Sequence, residues 1–234
     1  MIATPRLHFI HVHKTGGQFV NRLLLQHLPD ARRVGYHLPR SEAPADLRRL
    51  PAFAFVRNPW DWYVSWYAFN AASPERNPIF RGVADSGRVG FKHTLANLLW
   101  FGDEAHAALR QAVAAQLPET RENNFGSGIT RAVMQTYAAP ETGYFSWLVG
   151  YMCAVEGSLK GLHMGRMEAL REDLPRLLQE CGAPPSDALR QAIAAAPAVN
   201  ASPRRDYRGY YDPESMGWVA ERDRAIIEEY GYRF

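Results

Sequence analysis

The pattern of apolar and polar positions opens on a strand. Leu7-His8-Phe9-Ile10-His11-Val12 alternates, is β-rich in character, and gives way to turn residues. Lys14-Thr15-Gly16-Gly17 reads as that turn. Phe19, Val20, Leu23, Leu24 and Leu28 then recur at helical spacing until Pro29 closes the pattern. Strand, glycine turn and helix together make the start of a βαβ unit. A short second strand is expected near 33–36 and a helix over 42–50. Ala52-Phe53-Ala54-Phe55-Val56 is a compact apolar run of the kind that forms a parallel strand buried on both faces. Asn58-Pro59 follows at once, with Asn58 suited to cap a helix, Pro59 to its first position and Asp61 to its third, so a helix dense in aromatics is expected over 60–72.

Beyond this the signal is coarser. Residues 73–90, rich in Pro, Gly, Arg and Asn, read as an insertion or surface loop. One or two helices are expected over 91–117, irregular chain over 119–143, a buried helix over 144–156 and a short strand at 161–165. Two amphipathic helices follow, at 167–180 before Gly182 and at 186–196 behind a Ser186 cap. A basic polar loop over 198–211 leads into a closing helix at 213–230. No internal repeat or low-complexity tract is visible, and one domain over 1–234 is expected.

Composition narrows the class. The 234 residues are 47% hydrophobic and 22% charged, values that exclude collagen, wholesale disorder and coiled coil. A net charge of +3 gives no argument for nucleic-acid binding. Within it, lysine is scarce: only Lys14, Lys92 and Lys160 occur, and one of the three stands in the glycine turn. Residues 1–58 carry nine Arg or Lys against three acids, which points to something anionic near this third of the chain. Cys153 and Cys181 show neither metal spacing nor a disulfide framework, which fits a reducing compartment. The most apolar stretch, about 144–155, falls short of the roughly 20 residues that span a bilayer. With no secretory segment in view, a cytoplasmic protein without a transmembrane segment is expected. Oligomeric state is not legible.

Two segments carry candidate chemistry. A glycine turn between strand and helix exposes backbone N–H groups where the helix dipole favours an anion, and Lys14 would add a point charge for a phosphate or sulfate oxygen. A tight turn with a solvated lysine explains the same residues. The loop is not a Walker A motif, because Lys14 precedes the glycines and no Ser or Thr follows to hold magnesium. In the second segment Arg57 closes the buried strand and Ser65 falls about two turns into the next helix. Arg57 either forks onto a phosphate at the sheet edge, with Ser65 as a hydroxyl donor, or pairs with a carboxylate such as Asp61. Each strand–loop–helix places a cation at the carboxyl end of its strand, the edge where open α/β sheets bind ligands.

Taken together, the segments resemble the sulfotransferases that use 3′-phosphoadenosine 5′-phosphosulfate (PAPS), specifically the carbohydrate and membrane-type superfamily and its bacterial relatives. His11-Val12-His13-Lys14-Thr15-Gly16-Gly17 looks like the family's 5′-phosphosulfate loop. Phe55-Val56-Arg57-Asn58-Pro59 through Ser65-Trp66-Tyr67 looks like its 3′-phosphate motif, an arginine followed eight residues later by a serine. Asn200-Ala201-Ser202, Asp206-Tyr207-Arg208, Tyr210-Tyr211 and the closing Gly231-Tyr232-Arg233-Phe234 match a recurring family ending. The resemblance is specific over about 7–70 and looser over 160–234. It departs where the family often has proline, at His13, and where Ser or Thr follows the glycines, here Gln18 and Phe19.

The resemblance implies a P-loop-NTPase-like, three-layer α/β/α fold with a central, mostly parallel sheet and extra helices. It implies in-line transfer of a sulfuryl group from PAPS, with PAP (adenosine 3′,5′-bisphosphate) as product and no metal. The acceptor would be a hydroxyl, less readily an amine, of a carbohydrate, lipid or small molecule, its identity shaped by 73–158. Lys14 would neutralise charge on the leaving oxygen. Thr15, Gly16, Gly17, Gln18 and Phe19 would hold the 5′-phosphate, with Gln18 replacing the missing hydroxyl through its amide N–H. Arg57 and Ser65 would hold the 3′-phosphate. Arg204 and Arg205 would clamp the nucleotide or an anionic acceptor, unless they belong to a solvated basic loop. His37, after the second strand, is the expected base, with His13 and Glu42 as alternatives. His11 and His13 also suggest a metal, with no third ligand in view. A P-loop-like kinase and a non-catalytic nucleotide or sulfated-ligand binding module on the same fold are the competing functions.

Overall fold

The computed structural model describes residues 1–74, 77–121, 128–197 and 205–234. The described chain divides into two compact units, each built from separated segments. The first holds 1–57 and 149–197 with Gly128; the second holds 58–121, 129–148 and 205–234.

The first unit carries the sheet. Its strands are β1 (Ile2–Ala3), β2 (His8–Phe9), β3 (Arg32–Arg33), β4 (Ala52–Val56) and β5 (Leu162–Arg166), in the order β3-β1-β2-β4-β5. β2, β4 and β5 run parallel, while β1 is antiparallel to both β2 and β3. The expected first strand is shorter than its apolar run, but the amide of Ile10 still donates to the Phe53 carbonyl at 2.9 Å. The second strand falls at Arg32–Arg33 rather than 33–36, and β1 is a strand the pattern did not reveal, since two residues carry no periodicity. All five residues of β4 are buried, as a central parallel strand requires. Phe53 and Phe55 join Leu7, Phe9, Phe19, Val20, Leu23 and Leu24 in the core on one face. Helices α1 (Gly17–His27), α9 (Leu170–Glu180) and α10 (Asp187–Ala195) supply the rest of that core through Leu174, Leu177, Leu178, Leu189 and Ile193. The short helix α2 (Ala45–Arg48) is all that forms of the helix expected over 42–50, behind a 3₁₀ turn at Arg40–Glu42.

The second unit is helical. Its helix α3 (Pro59–Ala71) is buried nearly all round, with Trp60, Trp62, Tyr63, Val64, Ser65 and Trp66 all inside. The Asn58 side chain accepts from the Trp60 amide at 3.1 Å, the cap its sequence predicts. Helices α4 (Pro78–Val83), α5 (Phe91–Leu99), α6 (Ala107–Ala114) and α7 (Arg131–Gln135) follow. So 73–90 is not plain loop, and 119–143 is not wholly irregular: Asn77 and Thr130 each cap a short helix with a side-chain oxygen. Helix α8 (Tyr144–Cys153) begins in this unit and ends in the first. The closing helix is two, α11 (Pro213–Arg222) and α12 (Arg224–Tyr230). The break is at Asp223, whose fully buried carboxylate accepts from the Tyr63 hydroxyl at 2.8 Å, the Ser146 amide at 2.9 Å and the Ser146 hydroxyl at 2.6 Å.

Candidate functional site

The loop at 11–19 sits where β2 hands over to α1. Lys14 adopts φ 59° and Gly16 φ 80°, so two left-handed residues bracket Thr15. Turns of this kind turn successive amides toward an anion. For Gly16 the conformation costs little; for a lysine it costs about 1–2 kcal/mol, and strain held in a loop points to a function for that loop. Thr15 is wholly buried and its hydroxyl donates to the Val12 carbonyl at 3.0 Å, so its side chain shapes the turn. Gly16 caps α1 and Gly17 is its first residue. The first amides of a helix have no intrahelical acceptor, and here they lie beside the half-exposed Lys14.

Arg57 reaches this loop. Its guanidinium, 7% exposed at the end of β4, donates from Nη1 to the Lys14 carbonyl at 2.9 Å. The two cations expected at adjacent strand ends are therefore linked through the backbone of one of them.

The histidines gather on the same loop. The His37 and His13 rings stack with centroids 3.7 Å apart, and His11 lies 4.3 Å from His37. His37 Nδ1 is 2.8 Å from the His11 carbonyl, an acceptor only, so Nδ1 carries the proton and Nε2 the lone pair. Burial, with the neighbouring His13 and His11, holds the His37 pKa well below its ordinary value. Gln18 donates its side-chain amide to the Tyr36 hydroxyl. Among the described residues no group of three His, Cys, Asp or Glu is arranged to hold a metal; His11 and His13 are stacked against other rings instead.

Phe19 requires a correction. Its side chain is in the core, 6% exposed, and its amide donates to the Gly16 carbonyl at 3.0 Å. Neither group is left for a phosphate, because the helical register turns this position inward. Asn21 went unremarked in the sequence, yet it is 3% exposed and its Nδ2 lies 3.2 Å from His11 Nδ1. The signal was available: a polar residue on the otherwise apolar face of α1.

In the second unit, Ser65 lies 5% exposed on α3. Arg205 lies over the Tyr210 ring at 4.6 Å and Arg208 over Tyr207 at 4.7 Å. Arg204 and Asn200-Ala201-Ser202 lie outside the described residues, as do 123–127. The C-terminal residues hold the start of α3: Asn58 donates to the Arg233 carbonyl at 2.9 Å, Tyr211 to the Trp60 carbonyl at 2.8 Å, and Phe234 packs edge-on against Trp60. Glu42 lies exposed in the 3₁₀ turn of the first unit.

Comparison with solved structures bears on the fold. Mouse sulfotransferase SULT7A1, solved in complex with PAP, matches 98% of this chain over 89% of its own, with a TM-score of 0.52 and 12% identity. This chain has the fold of a sulfotransferase. The sulfotransferase fold is the mixed α/β architecture expected, with a central five-stranded sheet and many helices. No family model and no curated protein sequence matches the chain. No helix among the described residues is long and apolar enough to cross a membrane.

Proposed function

We propose that this chain is a PAPS-dependent sulfotransferase. One observation carries the reading: the strained Lys14 turn at the head of α1, held by Arg57, in a fold shared with a PAP-complexed sulfotransferase. The residues fit an anionic nucleotide. The first-turn amides are donors, and Lys14 supplies the charge. When bound, PAPS supplies an activated sulfuryl group that passes in line to the acceptor oxygen.

The chain's own residues then have two tasks. Lys14, with the amides of Gly16–Gln18, stabilises the charge left on the nucleotide side. His37, protonated at Nδ1 by its bond to the His11 carbonyl, accepts the acceptor's proton at Nε2. Burial, with His13 and His11 beside it, holds that ring in its neutral form. Arg57 holds the loop through Lys14 and serves the 3′-phosphate. The acceptor is a hydroxyl, less readily an amine, of a carbohydrate, lipid or small molecule, and the setting is cytoplasmic.

A second reading, a nucleotide-binding module without turnover, is favoured by Gln18, whose amide is engaged by Tyr36 where relatives have a hydroxyl. Calorimetric titration with PAP and with ATP separates the possibilities. Tight PAP binding is expected. ATP binding with no PAP binding would overturn the reading in favour of a kinase. PAP binding without sulfuryl transfer to any acceptor in a radiolabelled screen would select the module.

A further inference from the structure

The second glycine of the loop has a neighbour that explains it. A Cβ on Gly17 would lie against the His11 imidazole, closer than the 3.0 Å that real Cβ contacts respect. His11 is 3% exposed, and every side of its ring is occupied. Asn21, one turn along α1 from Gly17, meets Nδ1 at 3.2 Å. Phe9 stacks at 6.2 Å between centroids, Tyr36 stands edge-on at 5.3 Å and His37 tilts across it at 4.3 Å. The carbonyl of the same residue accepts from His37 Nδ1 at 2.8 Å.

We propose that His11 is the positioning residue of this site: its flat ring is the floor that sets Gly17 and the first turn of α1, and its carbonyl sets the ring of His37. One residue thereby holds the nucleotide cradle and the base in a single frame. This rests on the sulfotransferase reading of the same loop. The chemistry suits the task. A planar imidazole lies under a glycine backbone where a branched aliphatic chain would push it up, and Asn21 on α1 fixes the ring against rotation. Burial also keeps His11 neutral, its pKa held well below the ordinary value, so no positive charge faces the dipole of α1 from beneath.

The test is a size-complementation cycle. PAP dissociation constants, kcat and melting temperatures are measured for wild type, Gly17→Ala, His11→Ala and the double variant. Gly17→Ala is expected to weaken PAP binding by about tenfold or more, the overpacking being read at the cradle. Removing the ring in the double variant returns affinity to within about threefold of His11→Ala alone. His11→Ala keeps the carbonyl that holds His37 but removes the ring that His37 tilts across at 4.3 Å, and it lowers kcat through that loss. If His11→Ala does not fold, Asn21→Ala, which keeps the ring and removes its Nδ1 partner, is expected to weaken PAP by about threefold. Wild-type PAP affinity in Gly17→Ala, a double variant no tighter than Gly17→Ala, unchanged PAP affinity in a folded Asn21→Ala, or a His11→Ala that lowers only the melting temperature each overturns the proposal. A wild-type protein that does not bind PAP overturns the sulfotransferase reading with it, whereas PAP binding with failed rescue overturns the positioning role alone.

Discussion

Arg57→Ala tests the link between the two halves of the motif. The guanidinium is 7% exposed, and its Nη1 holds the carbonyl of a lysine in the left-handed region. A hydrogen bond from a charged donor contributes about 1.5–3 kcal/mol. Without it, one restraint on a Lys14 conformation that itself costs about 1–2 kcal/mol is lost, and the cradle is less well formed before each ligand binds. If the whole of the bond energy is taken from the bound state, PAP affinity falls about 10- to 150-fold. Because the lysine moves with its carbonyl, kcat at saturating PAPS falls too, rather than KM alone. Arg57→Lys keeps the charge and loses the planar fork, so an intermediate loss is expected. Calorimetry with PAP, beside a thermal melt to show that the variant is folded, is the assay. A folded Arg57→Ala that binds PAP within about twofold of wild type would refute the reasoning, since the bond would then contribute nothing to the site.

The other expectations are more direct. Lys14→Ala should lower kcat by two orders of magnitude or more, on the order of what removing one oxyanion donor does, while His37→Ala should lower kcat and leave PAP affinity near wild type; wild-type turnover in either removes that residue from its role. His8 is fully buried, and desolvation, with the charge of Arg40, lowers its pKa to about 4. The unfolded chain therefore binds this proton first as pH falls: the stability is complete above about pH 6.5 and is lost toward pH 4, by about 2 kcal/mol between pH 8 and pH 5. Urea unfolding at those two pH values checks it; His8→Leu should flatten the dependence, and an unchanged slope in that variant contradicts the assignment. Asp223→Ala leaves the Tyr63 hydroxyl and the Ser146 donors without their acceptor and should cost about 2–4 kcal/mol in the same measurement.

Local chemistry made much of the fold legible. Ala52–Val56 is five apolar residues in a row because both faces of β4 are covered, and that density shows in the sequence. The caps at Asn58 and Ser186 are side-chain oxygens bonding amides two or three residues on, so they depend on nothing distant. The glycine turn and its scarce lysine were likewise visible as a candidate anion loop, since strand, turn and helix are contiguous. The inward turn of Phe19 is set by the register of α1, which a motif position does not record.

What the chain determined by itself is therefore what lies within a turn or two of each residue: strand, cap, loop and amphipathic face. Tertiary structure alone decided the contacts that span long stretches. It paired β1, β2 and β3, two-residue strands too short to show a period. It brought His37 onto the His11 carbonyl and Arg57 onto that of Lys14, and split the closing helix at the buried carboxylate of Asp223. These are single hydrogen bonds between residues 26, 43 and 160 positions apart. Each requires the chain to close a loop before the contact exists, and no local preference records which loop will close.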